Sequence, residues 1–243
     1  MYPSSDRLAR ELGLPRVELY ESVGSTLDVA HGLAAAGAPA GTLVLAAAQT
    51  AGRGRLGRSW SSEPGAGIWL TLIERPADRS ALDVLSLRVG LGIVNALEPL
   101  TGEALALKWP NDVYRGDRKL AGILVEARWR GSEPDWVAIG VGLNVRAPSG
   151  QPRATGLEST GVSRNAVLFA IVPALRRAAS LAGPLTRAEV DDFTARDVAR
   201  GRAILEPVRG TVDGINAAGG LRVLTKDGLE TLQAGTLVFE GDQ

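Results

Sequence analysis

Between Gln49 and Trp60 the chain reads Q-T-A-G-R-G-R-L-G-R-S-W, with Arg53, Arg55 and Arg58 interleaved with Gly52, Gly54 and Gly57. Arginine presents a planar fork of donors that matches carboxylates and phosphates. Glycine lets the backbone come close to a ligand. Together they describe a loop suited to closing over an anion. Holding eight such residues in place costs about 8–16 kcal/mol of backbone entropy, and no apolar run inside the stretch offsets it. The expectation is a flap that is mobile when empty and orders over its ligand. Other readings of the motif are weaker. Gly52, Gly54 and Gly57 fit a dinucleotide fingerprint with Glu74 near the acidic position, but that fingerprint needs a helix to follow. Here Pro64, Gly65, Gly67 and a strand-like Ile68–Ile73 follow. An arginine–glycine nucleic-acid tail usually belongs to a basic chain, and this one has formal charge zero. A solvated turn is the remaining reading.

Lysine is scarce: Lys108, Lys119 and Lys226 are the only three among 27 basic residues. An ammonium is a compact point charge that reaches between phosphate oxygens. Lys108 closes an apolar strand just before Trp109-Pro110-Asn111-Asp112. Asn111 and Asp112 could hold a substrate or a Mg²⁺ through oxygen, or simply make a good turn. Lys119 opens K-L-A-G-I-L-V-E, whose Gly122 suits close approach. Gly140 and Gly142 lead a further strand into Asn144. Ser25 and Thr26 stand where a helix begins. Hydroxyls beside free N–H groups there can bind a polar group, although the spacing alone favours a plain helix start. Trp60 serves as a stacking platform or as core.

Cysteine is absent, so disulfides, thiolate metal sites and thiol nucleophiles are excluded. The single histidine, His31, falls on an amphipathic helix and reads as a surface or packing residue, which removes histidine-dependent triads. At 243 residues and 45% apolar content the chain suits one sizeable domain plus a small one. No long apolar run suggests a transmembrane helix, and the polar start M-Y-P-S-S-D is unlike a signal peptide. The expectation is a cytoplasmic protein with no membrane partner. Zero net charge, and a lead-in of residues 1–20 too short for a helix-turn-helix, argue against a nucleic-acid partner. Monomer and homodimer both stay open.

The elements that must position these groups follow from periodicity. Val17–Tyr20 reads as a strand. A helix begins at Ser25, with Asp28 completing a capping box. Thr42–Ala48 and Gly67–Ile73 read as strands on either side of the arginine loop. Asp78–Leu97 carries helical spacing. Leu105–Asp112, Lys119–Glu126 and Val137–Asn144 make three antiparallel strands in an α+β pattern. Residues 146–160 read as loop. Asn165–Leu181 and Thr186–Ala199 are helical, with a kink expected at Pro173 and Gly201 as the C′ residue of the second. After 201 come short strands at 203–207, 209–216, 221–225, 230–233 and 236–240, the pattern of a small barrel. The expected domains are 1–201 and 202–243.

Four motifs in order, Q-T-A-G-R-G-R-x-G-R-x-W from Gln49, K-W-P-N-D from Lys108, K-L-A-G-I-L-V-E from Lys119 and G-x-G-x-N from Gly140, resemble those of biotin protein ligases, that is, biotin–[acetyl-CoA-carboxylase] ligases. The resemblance spans about residues 17–240. It implies a mixed, largely antiparallel catalytic domain like those of class II aminoacyl-tRNA synthetases, plus a small Src-homology-like C-terminal barrel. Without an N-terminal winged-helix unit, the chain is similar to the monofunctional type. The resemblance also implies a two-step ATP-dependent reaction: biotin becomes biotinyl-5′-AMP, then passes to a lysine of the biotin carboxyl carrier protein. Biotin and ATP would be substrates, with Mg²⁺ accompanying ATP and Asp112 its candidate ligand. By position, Ser25, Thr26, Gln49, Gly52, Arg53, Gly54, Arg55, Lys119 and Gly122 would meet biotin or its adenylate, with Arg53, Arg55 and Lys119 catalytic. Trp60, Lys108, Asn111, Asp112, Gly140, Gly142 and Asn144 would serve the nucleotide. Leu27 stands where the family often has Asn. Residues 154–159 match poorly and receive no role. A lipoate or octanoate protein ligase and a non-catalytic biotin-responsive protein are the alternatives.

Overall fold

The computed structural model describes residues 2–76 and 78–241; the parts of the two expected domains that fall on residues 1, 77, 242 and 243 lie outside the described residues. In chain order the elements are α1 (Ser5–Leu12), β1 (Arg16–Val23), α2 (Thr26–Ala35), β2 (Thr42–Gln49), β3 (Gly67–Glu74), α3 (Leu85–Thr101), β4 (Ala106–Lys108), β5 (Asp112–Arg115), β6 (Arg118–Arg130), β7 (Glu133–Asn144), α4 (Arg164–Ser180) and α5 (Arg187–Arg196). Five short strands follow: β8 (Ala203–Glu206), β9 (Gly210–Ile215), β10 (Leu221–Thr225), β11 (Gly228–Leu232) and β12 (Val238–Phe239). The first seven strands form one sheet in the order β1-β2-β3-β7-β6-β5-β4, parallel between β1 and β2 and antiparallel elsewhere. This is the expected mixed, largely antiparallel α+β arrangement.

Alternation along the strands divides this sheet into two faces. Leu43, Leu45, Ile68, Leu70, Leu72, Leu107, Val113, Ile123, Ile139, Val141 and Leu143 point into one apolar core with α1, α3, α4 and α5. Their neighbours point the other way. There α2 covers Val44 and Ile73 with its small Ala30 and Ala34, and the rest of that face, from Gly140 and Gly142 to Gly122, Asp112 and Lys108, is left for the site. One register shift matters. The β5–β6 ladder slips between Val113 and Tyr114, so that Val113 faces Ala121 while Tyr114 faces Lys119. A bulge of this kind re-aims side chains. Leu120 joins the core, and Lys119 joins Gly122 on the site face.

The last five strands form an antiparallel sheet, order β11-β10-β9-β8-β12. Among the described residues no ladder joins β11 to β12. Trp109 Nε1 donates to Gly219 O at 2.9 Å, and Leu185 N donates to Ala217 O at 2.8 Å, tying this sheet to the rest of the chain.

Several boundaries differ from the sequence expectations. Residues 5–12 form a helix because Ser4 accepts from Arg7 N and Gly13 closes it with φ 63°. α3 begins at Leu85 rather than 78: Asp78 accepts from Ser80 N and from Gly183 N, and such local bonds compete with helix. Pro173 lies inside α4 without interrupting it. α5 has its capping box at Thr186 and Glu189 but ends at Arg196, with Asp197 as cap, so Gly201 is not its C′ residue. Ser25 caps α2 by accepting from Leu27 N, but Asp28 turns to Arg53 instead of completing a box.

Candidate active site

Most of the singled-out residues converge on one cavity of about 610 Å³ over the site face of the large sheet. Ser25, Thr26, Gln49, Arg53, Gly54, Arg55, Trp60, Lys108, Asn111, Asp112, Lys119, Gly122, Gly140 and Gly142 all line it. Two do not. Gly52 lies at the root of the loop, where a Cβ would stand 3.0 Å from both Gln49 Nε2 and Ser62 Oγ. Asn144 is buried at the end of β7, opposite Gly67.

The floor is glycine backbone that an indole can lie against. In the ladder Gly122 faces Gly142 and Leu124 faces Gly140. The indole of Trp60 lies on this patch. A Cβ on Gly142 would overlap it, and one on Gly122 would stand 2.8 Å from it. A Cβ on Gly140 would meet Leu27 at 3.1 Å, so Leu27 contributes packing where a polar side chain was the alternative. Trp60 Nε1 is buried and has no hydrogen-bond partner.

At the start of α2 the polar groups are already engaged. Gln49 Oε1 accepts from Thr26 N at 2.8 Å and from Thr26 Oγ1 at 3.1 Å, while Gln49 Nε2 donates to Ser62 Oγ at 2.8 Å. Thr71 Oγ1 donates to Thr26 Oγ1 at 2.9 Å. The expected free N–H groups of residues 26 and 27 are therefore taken by Gln49 and Ser25. Gln49 and Ser25 still border the cavity with their side chains.

The charged groups come from the loop and from the β4–β6 region. Lys119 Nζ lies 2.7 Å from Asp112 Oδ1 and 5.1 Å from the Trp60 ring centre. The Lys119–Asp112 approach is an ion pair without hydrogen-bond alignment, and Asp112 Oδ1 is a buried oxygen lacking a hydrogen-bond partner. Arg55 Nη1 donates to Asn111 Oδ1 at 3.3 Å and to Gly235 O at 3.5 Å. Burial lowers the Arg55 guanidinium below its ordinary range; the Asp112 charge opposes this and Arg58 adds to it. Arginine nevertheless stays charged. Asn111 Nδ2 donates to Ile123 O at 2.7 Å, so Asn111 braces Arg55 against β6. Lys108 Nζ stands 3.5 Å from Leu237 O and 4.7 Å from the Phe239 ring centre.

The arginine–glycine loop carries more internal order than expected. Arg53 bridges Ser59, Gly54 N donates to Arg58 O at 2.7 Å, Trp60 N donates to Gly52 O at 2.8 Å, and residues 55–57 make a short 3₁₀ turn. The stretch is a small hairpin. Its tip holds Leu56 at φ 55°, the one non-glycine residue with positive φ among the described residues, and 75% exposed. Arg53 itself is engaged by Asp28 and Glu126. Glu74, the candidate acid of a dinucleotide site, instead accepts from Arg176 Nε at 3.0 Å.

Two walls come from segments to which the sequence assigned no residue roles. Residues 150–154 line the cavity because Lys119 N donates to Arg153 O and Thr155 N donates to Lys119 O, both at 2.9 Å. Residues 235–237 reach it from the C-terminal sheet. Among the described residues no group of three or more His, Cys, Asp or Glu side chains could hold a metal, and no helix is long and apolar enough to cross a membrane.

This geometry can place two anionic groups between Arg55 and Lys119 over an apolar floor. Comparison with known proteins points the same way. The sequence profile of the biotin/lipoate A/B protein ligase family matches residues 19–144. The chain is 41% identical over 133 residues to the bifunctional ligase/repressor BirA of Bacillus spizizenii, a match covering 54% of this chain and 41% of that protein. It is 40% identical over 159 residues to the biotin–[acetyl-CoA-carboxylase] ligase of Mycobacterium tuberculosis, covering 62% and 58%. The matches thus span less than two thirds of these relatives' lengths. The biotin protein ligase of Aquifex aeolicus, solved in complex with biotin and ATP, superposes with a TM-score of 0.76 at 27% identity, covering 93% of this chain and 99% of that one.

Proposed function

The chain belongs to the biotin/lipoate A/B protein ligase family, and from that premise we propose that it is an ATP-dependent biotin protein ligase. Biotin binds beside Gly122, with Ser25, Thr26 and Gln49 around it, and Gly140 and Gly142 support the nucleotide side through Trp60. ATP lies against Trp60, Lys108, Asn111 and Asp112. A carboxylate oxygen of biotin attacks the α-phosphorus, the bond to the bridging oxygen breaks, and pyrophosphate leaves with the electron pair. Two anions must approach for this to happen. Arg55 and Lys119 offset their repulsion and stabilise charge on the transferring phosphoryl group. No general base is needed, because the carboxylate is already ionised at neutral pH. In the second step the amine of an acceptor lysine attacks the acyl carbon, AMP leaves, and the amine proton is lost to solvent.

The observation that carries this reading is the pairing of Lys119 with the buried, otherwise unpartnered Asp112 oxygen, in the same cavity as Arg55. Asp112 also fits the metal that accompanies ATP, since Mg²⁺ is commonly held by one or two carboxylates plus substrate phosphates. Mg²⁺ would supply further charge neutralisation there. A mixed anhydride hydrolyses readily, so the arginine–glycine hairpin would exclude water as well as bind. Gly52 and Asn144 take supporting roles. We further infer a domain boundary near residues 201–203, a closed barrel for the last five strands, a cytoplasmic location and a biotin carboxyl carrier protein as acceptor.

The test is mass spectrometry of a biotin carrier domain incubated with this protein, ATP, Mg²⁺ and biotin. One biotinyl group on one lysine is the expected result. An unmodified carrier, or one modified only when lipoate replaces biotin, rejects the proposal.

A further inference from the structure

Two arginines of one motif stand in opposite surroundings. Arg55 meets an amide oxygen and a backbone carbonyl. Arg53 meets two carboxylates: its Nη1 donates to Asp28 Oδ1 at 2.8 Å and its Nη2 to Glu126 Oε1. One positive charge between two negative ones leaves a local surplus of negative charge, which does not attract a phosphate or a biotin carboxylate. Glu126 is held from behind. His31 Nε2 lies 2.8 Å from its Oε2, and Trp136 Nε1 donates to His31 Nδ1 at 3.0 Å. Because Nδ1 accepts, the ring proton sits on Nε2 and is donated to Glu126.

This rests on the reading of the cavity as the biotin and ATP site. We propose that Asp28 and Glu126, with His31 behind, are positioning residues that seat the arginine–glycine hairpin through Arg53, leaving Arg55 and Lys119 as the cations that meet the reacting anions. Arg53 is placed for this. It bridges Ser59 at the base of the hairpin, whose tip carries Arg55. Its two partners belong to different elements, Asp28 to the first turn of α2 and Glu126 to β6. Fixing the base reduces the ordering cost that ligand binding must otherwise meet. The partners are unequal. The Asp28 side chain is 57% exposed and Glu126 24%, and an exposed pair is screened by water. Burial would raise the Glu126 carboxyl, but hydrogen bonds from Arg53 and His31 outweigh it and hold it below the ordinary range.

The experiment uses the full chain with Arg53→Gln, Glu126→Gln, Asp28→Asn and the Arg53→Gln/Glu126→Gln double variant. Two readouts are taken: trypsin cleavage after Arg55 and Arg58, and biotin-dependent pyrophosphate exchange at saturating ATP. Each single variant is expected to speed cleavage and to raise the KM for biotin about three- to tenfold while leaving kcat within about twofold, with Asp28→Asn the mildest. The double variant is expected to be no worse than its worse parent, because both changes release the same clamp. A kcat loss of roughly a hundredfold or more in Arg53→Gln alone, of the size that removing a direct transition-state donor causes, overturns the proposal. So do effects that multiply in the double variant, or cleavage that Glu126→Gln leaves unchanged. If Glu126→Gln fails to fold, Asp28→Asn decides, since among the described residues Arg53 is the only side chain its carboxylate bonds. The cleavage readout needs no activity, so absent exchange in the unaltered protein retires the biotin ligase reading and not the clamp.

Discussion

The two faces of the seven-stranded sheet are made from the same strands and do different work. On one, Leu70, Ile139, Val141 and Leu143 are buried with α3 and α4. On the other, one residue along each strand, stand Gly140, Gly142, Gly122, Asp112 and Lys108. Strand β7 alone thus carries stability on its odd residues, Ile139, Val141 and Leu143, and the site on its even ones, Gly140 and Gly142. Substitutions on the first face should cost folding, and those on the second should cost reaction or binding.

The largest effects test that division outright. Ile139→Ala removes a fully buried side chain and should lower stability by about 2–5 kcal/mol, read as a shift in the denaturation midpoint. Lys119→Ala should lower stability less, by about 1 kcal/mol, the low end for stripping a partner from a part-buried acceptor such as Asp112. Its rate of adenylate formation should fall by about 10²–10³. A Lys119→Ala protein that unfolds like Ile139→Ala would erase the distinction.

A smaller effect is expected where the two faces meet. Gly142→Ala would press a methyl group into the Trp60 indole. Overpacking of this kind costs about 1–3 kcal/mol, divided between stability and displacement of Trp60. Trp60 fluorescence alone does not isolate the change in a chain with five tryptophans, so the measurement is ATP affinity alongside the denaturation midpoint. Unchanged values in both would mean that the indole is not seated as described.

The smallest effect is expected at the sheet's edge. Residue 197 bridges Leu107 of β4, and Val198 N donates to Leu107 O at 3.0 Å. Burial pushes the Asp197 carboxyl up to about 6, against opposing hydrogen bonds from Ala199 and Arg200 N–H and the Arg200 charge. A carboxyl raised in the folded state favours folding below its unfolded value of 3.8 and loses that contribution as pH rises through about 6. Asp197→Asn keeps an acceptor for Ala199 N and should flatten the stability profile between pH 4 and 6. An identical profile in the variant would contradict the shift.

The sequence already held the arrangement of the site face, because alternation in β6 and β7 sets which residues share a side. Lys119 shows where alternation alone misleads: it has the parity of the core residues Ala121 and Ile123, and only the bulge against β5 brings it to the cavity. The arginine loop was legible as an anion-binding motif, but not the division of labour within it. The partners of Arg53, at Asp28 and Glu126, lie 25 and 73 positions away, and nothing local marks them. Residues 150–154 and 235–237 were illegible for the same reason, since pairing with Lys119 and docking of the C-terminal sheet bring them in. α1 was missed because its single buried residue, Leu8, leaves no periodic signal to detect.

On the proposed function, one cavity brings a carboxylate onto the α-phosphate of ATP between Arg55 and Lys119. This is tested most directly by incubating the protein with biotin, MgATP and labelled pyrophosphate in the absence of any acceptor. Label is expected to enter ATP only when biotin is present, with biotinyl-AMP recoverable from the enzyme. Release of ADP and phosphate, or no exchange while biotin demonstrably binds, would contradict it.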